Sequence, residues 1–208
     1  DALGMVFATV SSLLWILAAL YSIGYMRSQN EHAQTRFFAA FAVSLSAAVG
    51  GAFAANLFTL VIFYEILSLV TYPLVYHKED SDSWVGSRRY MVYLVGASKS
   101  LLLAALALTY HLTGSLDLMP QGVFGDVDAS GTLLSVVYFC YLFGFAKAAI
   151  MPFHGWLPAA MVAPTPVSAL LHAVAVVKMG VFCLLRVIFH VMGVDLMGSL
   201  GLGIATGY

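Results

Sequence analysis

The sequence predicts an all-α protein: a polytopic bundle of transmembrane helices, one of which is broken. Hydrophobic residues make up 62% of the 208 residues and charged residues only 9%, whereas soluble domains carry about 25% charged residues. Six apolar segments are long enough to cross a bilayer, which takes about 20 residues. The fifth is too long for one crossing and contains Pro152 and Pro158, each of which removes a backbone donor from a helix.

The six segments form one transmembrane domain over residues 1–208. Their predicted bounds are 3–26, 37–55, 57–76, 90–111, 133–162 and 167–192, and a seventh segment starts near the end of the chain. The chain begins without Met and stops inside an apolar stretch at Thr206–Tyr208. We therefore expect it to be a fragment of a larger membrane protein.

The fifth segment is expected to form two half-helices with a short non-helical stretch between them, because Pro152 and Pro158 interrupt it. Non-helical backbone at membrane depth is tolerated only where it is buried in protein or lines a watery cavity. The break at Pro152 is therefore a place where a polar route through the bundle can open.

The distribution of basic residues predicts the orientation of the helices. The connections after the first and third segments contain five basic residues, Arg27, Arg36, Lys78, Arg88 and Arg89, so both should be cytoplasmic. The long connection before the fifth segment contains Asp but no Lys or Arg and should face outside. Arg186 would then lie near the outer end of the sixth segment, where we expect it to reach the interface or to pair with a partner.

Four charged residues lie in the middle of apolar segments: Glu65, Lys99, Lys147 and Lys178. A charge at the centre of a transmembrane helix costs roughly 2.5–3.5 kcal/mol, and the usual reason for its presence is an ion or proton pathway. A lone buried lysine tends to lose its proton, whereas a lysine facing a carboxylate keeps it. A movable acid and lysine pair is therefore a physical basis for a proton relay.

Glu65 is predicted to be the counter-ion of one of the three lysines, with Lys147 the first choice. The alternative is a protonated carboxyl that bonds to a neighbouring hydroxyl, on Tyr64, Ser68 or Thr71. Lys147 and Lys178 lie too deep in their segments to reach the interface, which favours a functional role over snorkelling.

The remaining candidates each allow two interpretations. His172 follows a Pro-Thr-Pro turn and either passes protons, since histidine titrates near neutral pH, or simply packs. His154 either lines the cavity of the broken helix or packs there. Lys99 either extends the relay or neutralises Glu65. We expect no metal site, because no two His, Cys or carboxylate residues show a ligand spacing on one helix. We also expect no catalytic group, because the sequence shows neither a nucleophile–base pair nor that ligand spacing.

Three runs carry a resemblance to a known family: KAAIMPFHGWLPAA at 147–160, PTPVSALLHA at 164–173 and KMGV at 178–181. Together with FYE at 63–65, they resemble the core of the antiporter-like subunits. These are the proton-translocating membrane subunits of respiratory complex I, of Mrp-type cation/proton antiporters and of membrane-bound hydrogenases. The Lys178 pattern resembles the D-type member of the Mrp subunits, whereas the PTPVSALLH block is closer to the larger type.

The resemblance implies a subunit of about fourteen helices, of which this chain would hold the third through eighth. By that similarity Glu65 and Lys147 are the paired acid and lysine. His172 is then the bridging residue, and Lys178 is the next lysine of the relay. Lys99 matches no family position. The implied partners are other membrane subunits in the inner membrane of a bacterium or archaeon, with protons, and sodium or potassium, as the ions moved. No cofactor motif is present, so partners would do any redox chemistry.

Two other classes of function remain open. The protein could be a membrane scaffold or receptor subunit in which the charges merely pair helices. It could also be an intramembrane enzyme that uses His154 and His172. Nucleic acid is a poor partner, because the net charge is −1 and the chain has no basic run.

Overall fold

The computed structural model describes residues 1–203, apart from residues 126 and 128 and the side chains of residues 173 and 174. This part of the chain is built from helices and contains no strand beyond an isolated bridge between Asn56 and Asp117. The all-α prediction is therefore confirmed. Asp126 and Asp128 of the long connection, and Thr206–Tyr208 of the seventh segment, lie outside the described residues.

The helices follow the predicted segments in order. They are α1 Ala2–Ser28, α2 Gln34–Ala52, α3 Leu57–Val75, α4 Ser81–Thr113, α5 Gly131–Gly144, α6 Trp156–Ala159, α7 Thr165–Met192 and α8 Val194–Ser199. Helices α1 to α4 and α7 are long and apolar enough to cross a membrane, whereas α5 has only 14 residues. Many large apolar side chains on α1 point outward, which suits a surface that faces lipid or neighbouring membrane subunits.

Side-chain caps start several of these helices. The side chains of Asp1 and Asn56 accept the N–H groups of Gly4 and Thr59, at 2.7 and 2.8 Å, at the starts of α1 and α3. At α4, Asp80 and Ser83 cap each other reciprocally. The hydrogen bonds from Ser83 hold the pKa of Asp80 below its usual range. These caps satisfy backbone donors that have no partner inside the helix.

The fifth predicted segment is broken, as expected, but the break differs in its details. Helix α5 ends at Gly144, well before Pro152, and a single 3-10 turn follows at Ala146–Ala148. The Met151–Pro152 peptide bond is cis. Pro158 does not break the chain, because it lies inside the one-turn helix α6. The second half-helix is therefore much shorter than predicted, and side-chain contacts described below replace the missing helical hydrogen bonds.

Three stretches of wider, π-helical backbone interrupt the long helices. They are Ser98–Leu102 in α4, and Leu170–Val174 and Val187–Met192 in α7. Each stretch contains one basic residue, namely Lys99, His172 or His190. Single π turns inside α-helices occur frequently at functional sites, so two of the predicted candidates lie on backbone of an unusual kind.

Neighbouring connections contact each other at both ends of the bundle. At one end Arg36 pairs with Glu79 at 2.7 Å, which joins the two connections predicted to be cytoplasmic. At the other end the Leu57 N–H donates to the Leu116 carbonyl at 2.8 Å. These contacts place each pair of connections on the same side, as the charge pattern predicts.

Arg186 has a partner near the start of the chain. Its Nη1 lies 2.7 Å from Oδ2 of Asp1, and its Nη2 donates to the Ala52 carbonyl at 2.9 Å. The guanidinium is almost fully buried, so the pairing, rather than access to the interface, compensates its charge.

Helix α7 packs directly on the 3-10 turn Ala146–Ala148. The closest point is Gly180, where a Cβ atom would lie 2.7 Å from the carbonyl carbon of Lys147 and closer still to the Ala148 nitrogen. A side chain does not fit between the two backbones. Glycine at this position therefore allows α7 to hold the turn in place.

We expect Gly180→Ala to destabilise the protein by about 1–3 kcal/mol, the usual cost of forcing extra atoms into a packed core. The measurement is the thermal unfolding midpoint of the purified protein in detergent. Gly24→Ala is the matched control, because nothing lies within 4 Å of a Cβ atom at Gly24. Equal midpoints for the two variants would contradict the close packing of α7 on the turn.

Candidate functional site

Lys147 is the centre of the candidate site. It lies on the 3-10 turn Ala146–Ala148 and is fully buried. Its Nζ donates to the backbone carbonyl of Tyr64 on α3 and lies 3.3 Å from the centroid of the Tyr64 ring. The Lys147 backbone N–H donates to the Tyr64 hydroxyl at 3.1 Å. One tyrosine thus contacts both the charged end and the backbone of the lysine.

The environment of the lysine is polar but carries no opposite charge in direct contact within the described residues. A carbonyl oxygen and the negative face of an aromatic ring both stabilise a cation. The Tyr64 carbonyl also accepts the Ser68 hydroxyl at 3.2 Å. An ammonium group has three donors, so Lys147 retains donors for water or for a proton acceptor.

Aromatic residues fix the backbone around Lys147. The Trp156 indole N–H donates to the Ala146 carbonyl at 3.0 Å, and the Phe145 ring packs edge-on against Tyr64 with centroids 5.1 Å apart. The first contact holds Ala146 of the 3-10 turn, and the second holds Phe145, the residue before the turn. The backbone can therefore leave the helix at Phe145 because its polar groups find side-chain partners.

Tyr90 on α4 is a further member of the aromatic group around the Lys147 turn. Its ring packs edge-on against Trp156 with centroids 5.6 Å apart, and its hydroxyl forms a hydrogen bond with the Thr71 hydroxyl. Tyr90, Trp156 and Tyr64 are all fully buried. The sequence alone suggested a role only for Tyr64, as a possible hydroxyl partner of Glu65, and did not predict that any of the three surrounds Lys147. Their positions in the sequence could have indicated such a role, since Tyr64 precedes Glu65 and Trp156 lies in the run after Lys147.

Glu65 lies next to this cluster without an ion pair in the described part of the chain. Its Oε1 is buried and has no hydrogen-bond partner there, and no lysine nitrogen lies within 4.0 Å. The neighbouring hydroxyl of Thr71 bonds elsewhere, to the Leu67 carbonyl. The structure therefore shows neither a direct Glu65–Lys147 contact nor a carboxyl bonded to the hydroxyls considered above.

Glu65 and Lys99 line the same groove between α3 and α4. This groove has a volume of about 330 Å³ and is otherwise mostly apolar. Lys99 lies on the π turn of α4 and is exposed in the chain. Beside Lys99, nothing lies within 4 Å of a Cβ atom at Gly96. The acid thus shares the groove with Lys99, whereas Lys147 contacts Tyr64, the residue before Glu65 on α3.

Lys178 does not contact Lys147 in the structure. It is exposed on α7 and lines a second groove, of about 280 Å³, between α7 and α1. Lys178 precedes Gly180 by two residues, which is about 200° around a helix. Because Gly180 contacts the Lys147 turn, Lys178 points to the opposite side of α7.

The two histidine candidates lie at the edge of the site. His172 is on a π turn of α7, with Nε2 3.2 Å from the Met161 sulfur. His154 is exposed on the turn Phe153–Gly155. The structure therefore gathers Lys147 and the Glu65 segment of α3, and leaves His154, His172 and Lys178 separate from them.

A family model described as NADH:quinone oxidoreductase/Mrp antiporter, TM, matches residues 54–202. Among curated relatives, a probable K(+)/H(+) antiporter A/B subunit from Rhizobium meliloti (strain 1021) is 34% identical over 188 residues, which is 89% of this chain and 18% of the relative. The chain thus spans about a fifth of that relative's length. The relative is of the A/B type, whereas the Lys178 pattern favoured the D type.

Two solved structures share the fold. The Mrp complex from Dietzia sp. DQ12-45-1b matches with a TM-score of 0.82 and 26% identity, covering 96% of this chain and 22% of the other. The membrane-bound sulfane sulfur reductase, an archaeal respiratory membrane complex, matches with a TM-score of 0.75 and 26% identity, covering 87% and 37% of the two chains. The resemblance stated from the motifs is confirmed.

We expect Tyr64→Phe to loosen the turn that carries Lys147. The change keeps the ring and the carbonyl but removes the acceptor of the Lys147 N–H, and an unsatisfied buried donor costs about 1–3 kcal/mol. Hydrogen exchange measured by mass spectrometry should speed up in peptides that cover residues 145–150.

Tyr141→Phe is the control for this experiment. It removes a buried hydroxyl that bonds to Thr109 at 2.7 Å but does not touch Lys147. Unchanged exchange in Tyr64→Phe, or an equal increase in both variants, would show that the Tyr64 hydroxyl does not hold the turn.

Proposed function

Because this chain belongs to the NADH:quinone oxidoreductase/Mrp antiporter transmembrane family, we propose that it forms part of a membrane subunit of an Mrp-type cation/proton antiporter. In this proposal Lys147 is the central group that takes up and releases protons. The observation that carries the proposal is the burial of Lys147 on a non-helical turn, with a carbonyl and an aromatic face as its contacts.

Such contacts suit a lysine that must change its charge. A carboxylate in direct contact would hold the proton on the lysine, whereas a fully apolar site would make the charged form too costly. The Tyr64 carbonyl and ring stabilise the ammonium only partly. They also remain acceptable neighbours of the neutral amine, which can accept a hydrogen bond from water. The proton can therefore leave and return without a rearrangement of the helices.

Glu65 is proposed to control that exchange. Its buried Oε1 has no partner among the described residues, and a buried carboxyl oxygen in that condition is unstable unless a proton, water or cation reaches it. In one orientation the carboxylate stabilises charged Lys147, and in the other it turns toward Lys99 across the shared groove. In each transfer a proton leaves an ammonium nitrogen and joins a carboxylate oxygen or an intervening water.

His172 and Lys178 are proposed to continue the relay beyond this pair. Lys178 is exposed at mid-segment, and a lysine there costs roughly 2.5–3.5 kcal/mol when it faces lipid. We propose that other parts of the larger protein cover it, with His172 on its π turn as the step between. A proton gradient would then drive exchange for sodium or potassium, together with partner membrane subunits.

A membrane scaffold is the competing function. Charges that only join helices would form a dry, direct acid–lysine pair. The described residues contain no such pair at Glu65, and the groove beside it offers a polar side chain on each wall. These observations support the relay over the scaffold.

We expect Lys147→Ala to reduce proton-coupled cation transport by about 100-fold or more, the scale on which a positioned proton-transfer group contributes. The measurement is dye-reported proton flux in vesicles that contain the assembled complex, with assembly checked by native electrophoresis. Lys78→Ala is the control, since Lys78 is an exposed lysine of a connection. Normal transport by an assembled Lys147→Ala complex would disprove the central role of Lys147.

We expect Glu65→Gln to lower transport strongly and Glu65→Asp to lower it less, because aspartate keeps the charge but shortens the reach. Combining Glu65→Gln with Lys99→Ala measures whether the two residues act together, since independent sites have additive effects. The same vesicle assay applies. If Gln and Asp are equally harmless, Glu65 does not act on the lysines.

A further inference from the structure

Three potential metal ligands meet at the end of the bundle where the two basic connections join. Glu31 and His32 come from the connection between α1 and α2, and His77 comes directly after α3. One ligand atom from each residue lies within 4.8 Å of the other two. We refer to these three residues as the loop cluster. It is separate from Lys147 and takes no part in the proposed relay.

The spacing within the loop cluster suits a metal ion. His77 Nε2 lies 3.6 Å from Glu31 Oε2, which is long for a hydrogen bond. Two ligands bound tetrahedrally at about 2.0–2.1 Å from a zinc ion lie about 3.4 Å apart. The two atoms are therefore at nearly the separation that a shared cation imposes.

His77 is the second indication. Its side chain is only 1% exposed, and neither of its ring nitrogens has a hydrogen-bond partner within the part of the chain described. Buried polar atoms in native proteins nearly always have a partner. The Phe37 ring packs edge-on against the imidazole, with centroids 5.4 Å apart, and so limits its movement. The His77 ring is therefore held in place, and its Nε2, which has no hydrogen-bond partner among the described residues, faces Glu31.

His32 is the adjustable ligand. Its ring stacks on His77 with centroids 4.9 Å apart and an angle of 17° between the planes. Parallel rings do not direct their nitrogens to one point, so the His32 ring must turn to bind a shared ion. Its side chain is 49% exposed, which leaves room for that rotation. Glu79 lies nearby but is held by Arg36 at 2.7 Å, so water is the natural fourth ligand.

We propose that Glu31, His32 and His77 form a binding site for a divalent transition-metal cation of the zinc type. Two imidazoles and one carboxylate are a ligand set that zinc and its neighbours prefer, and an open fourth position is common. The sequence-based expectation of no metal site considered ligand spacing within single helices. It could not detect this cluster, because the ligands come from two connections separated by α2 and α3.

Metal binding here would join the α1–α2 connection to the end of α3. Helix α3 carries Tyr64 and Glu65, which contact or neighbour Lys147. The site is thus a clamp on the helix that the proposed relay uses. The proposal concerns metal binding itself and stands whether or not the chain moves protons.

The test is a titration of the full protein in lipid nanodiscs with Co²⁺, whose visible absorption reports tetrahedral coordination. We expect saturable binding of one Co²⁺ with intense visible bands that excess Zn²⁺ removes. His32→Ala, His77→Ala and Glu31→Gln should each weaken binding by about tenfold to 100-fold or more, because even loss of an outer partner of a metal ligand costs that much. His111→Ala is the matched control, since His111 is an exposed histidine at the other end of the bundle.

His32→Ala keeps the test decisive if the buried His77 variant does not fold, because His32 is exposed and its removal leaves no cavity. Absence of a tetrahedral Co²⁺ spectrum in the unmodified protein would overturn the proposal. Equal binding by the unmodified protein, His32→Ala and Glu31→Gln would overturn it as well, since the ion would then lie elsewhere.

Discussion

The burial of Lys147 is the constraint on which the rest of this structure depends. An ammonium group in the middle of a membrane protein needs polar contacts, and the apolar side chains of its own segment supply none. The chain resolves this by ending α5 at Gly144 and bringing Lys147 against Tyr64 of another helix. Trp156 then satisfies the freed Ala146 carbonyl, and Gly180 lets α7 close over the turn. Each of these features follows from placing one charge.

The separation between Glu65 and Lys147 is as informative as a contact would be. A direct buried ion pair stabilises both charges and makes either one costly to remove, because the remaining charge is then uncompensated. Here the carbonyl and ring of Tyr64 lie where a carboxylate would lie in such a pair. Glu65 directly follows Tyr64 in the chain and lines the groove that it shares with Lys99. In the proposed relay, the lack of a direct counter-ion among the described residues lets Lys147 release and regain its proton.

The sequence was sufficient to predict the helical class, the order of the segments and the presence of a break within the fifth one. It also singled out Glu65 and Lys147 as candidates, because charges inside apolar segments are conspicuous. It placed the break at Pro152 rather than at Phe145, since the contacts that end α5 come from Tyr64 and Trp156, which are distant in sequence. The direction of Lys178 was equally inaccessible, because it depends on which face of α7 packs against the turn. Long-range contacts, rather than local pattern, decided each of these points.

Irregular backbone is a feature that the basic candidate residues share. A wider turn leaves some backbone carbonyls without their usual helical partners and rotates the side chains that follow. Lys99 and His172 each lie on such a turn, whereas Lys147 lies on a 3-10 turn. All three basic residues are therefore on backbone that departs from the α-helix. Loosely bonded carbonyls near a basic side chain can accept hydrogen bonds from it or from water without breaking a helix. In the proposed relay, this irregular backbone would supply adjustable contacts for the basic side chains, while the regular helices around it keep its position.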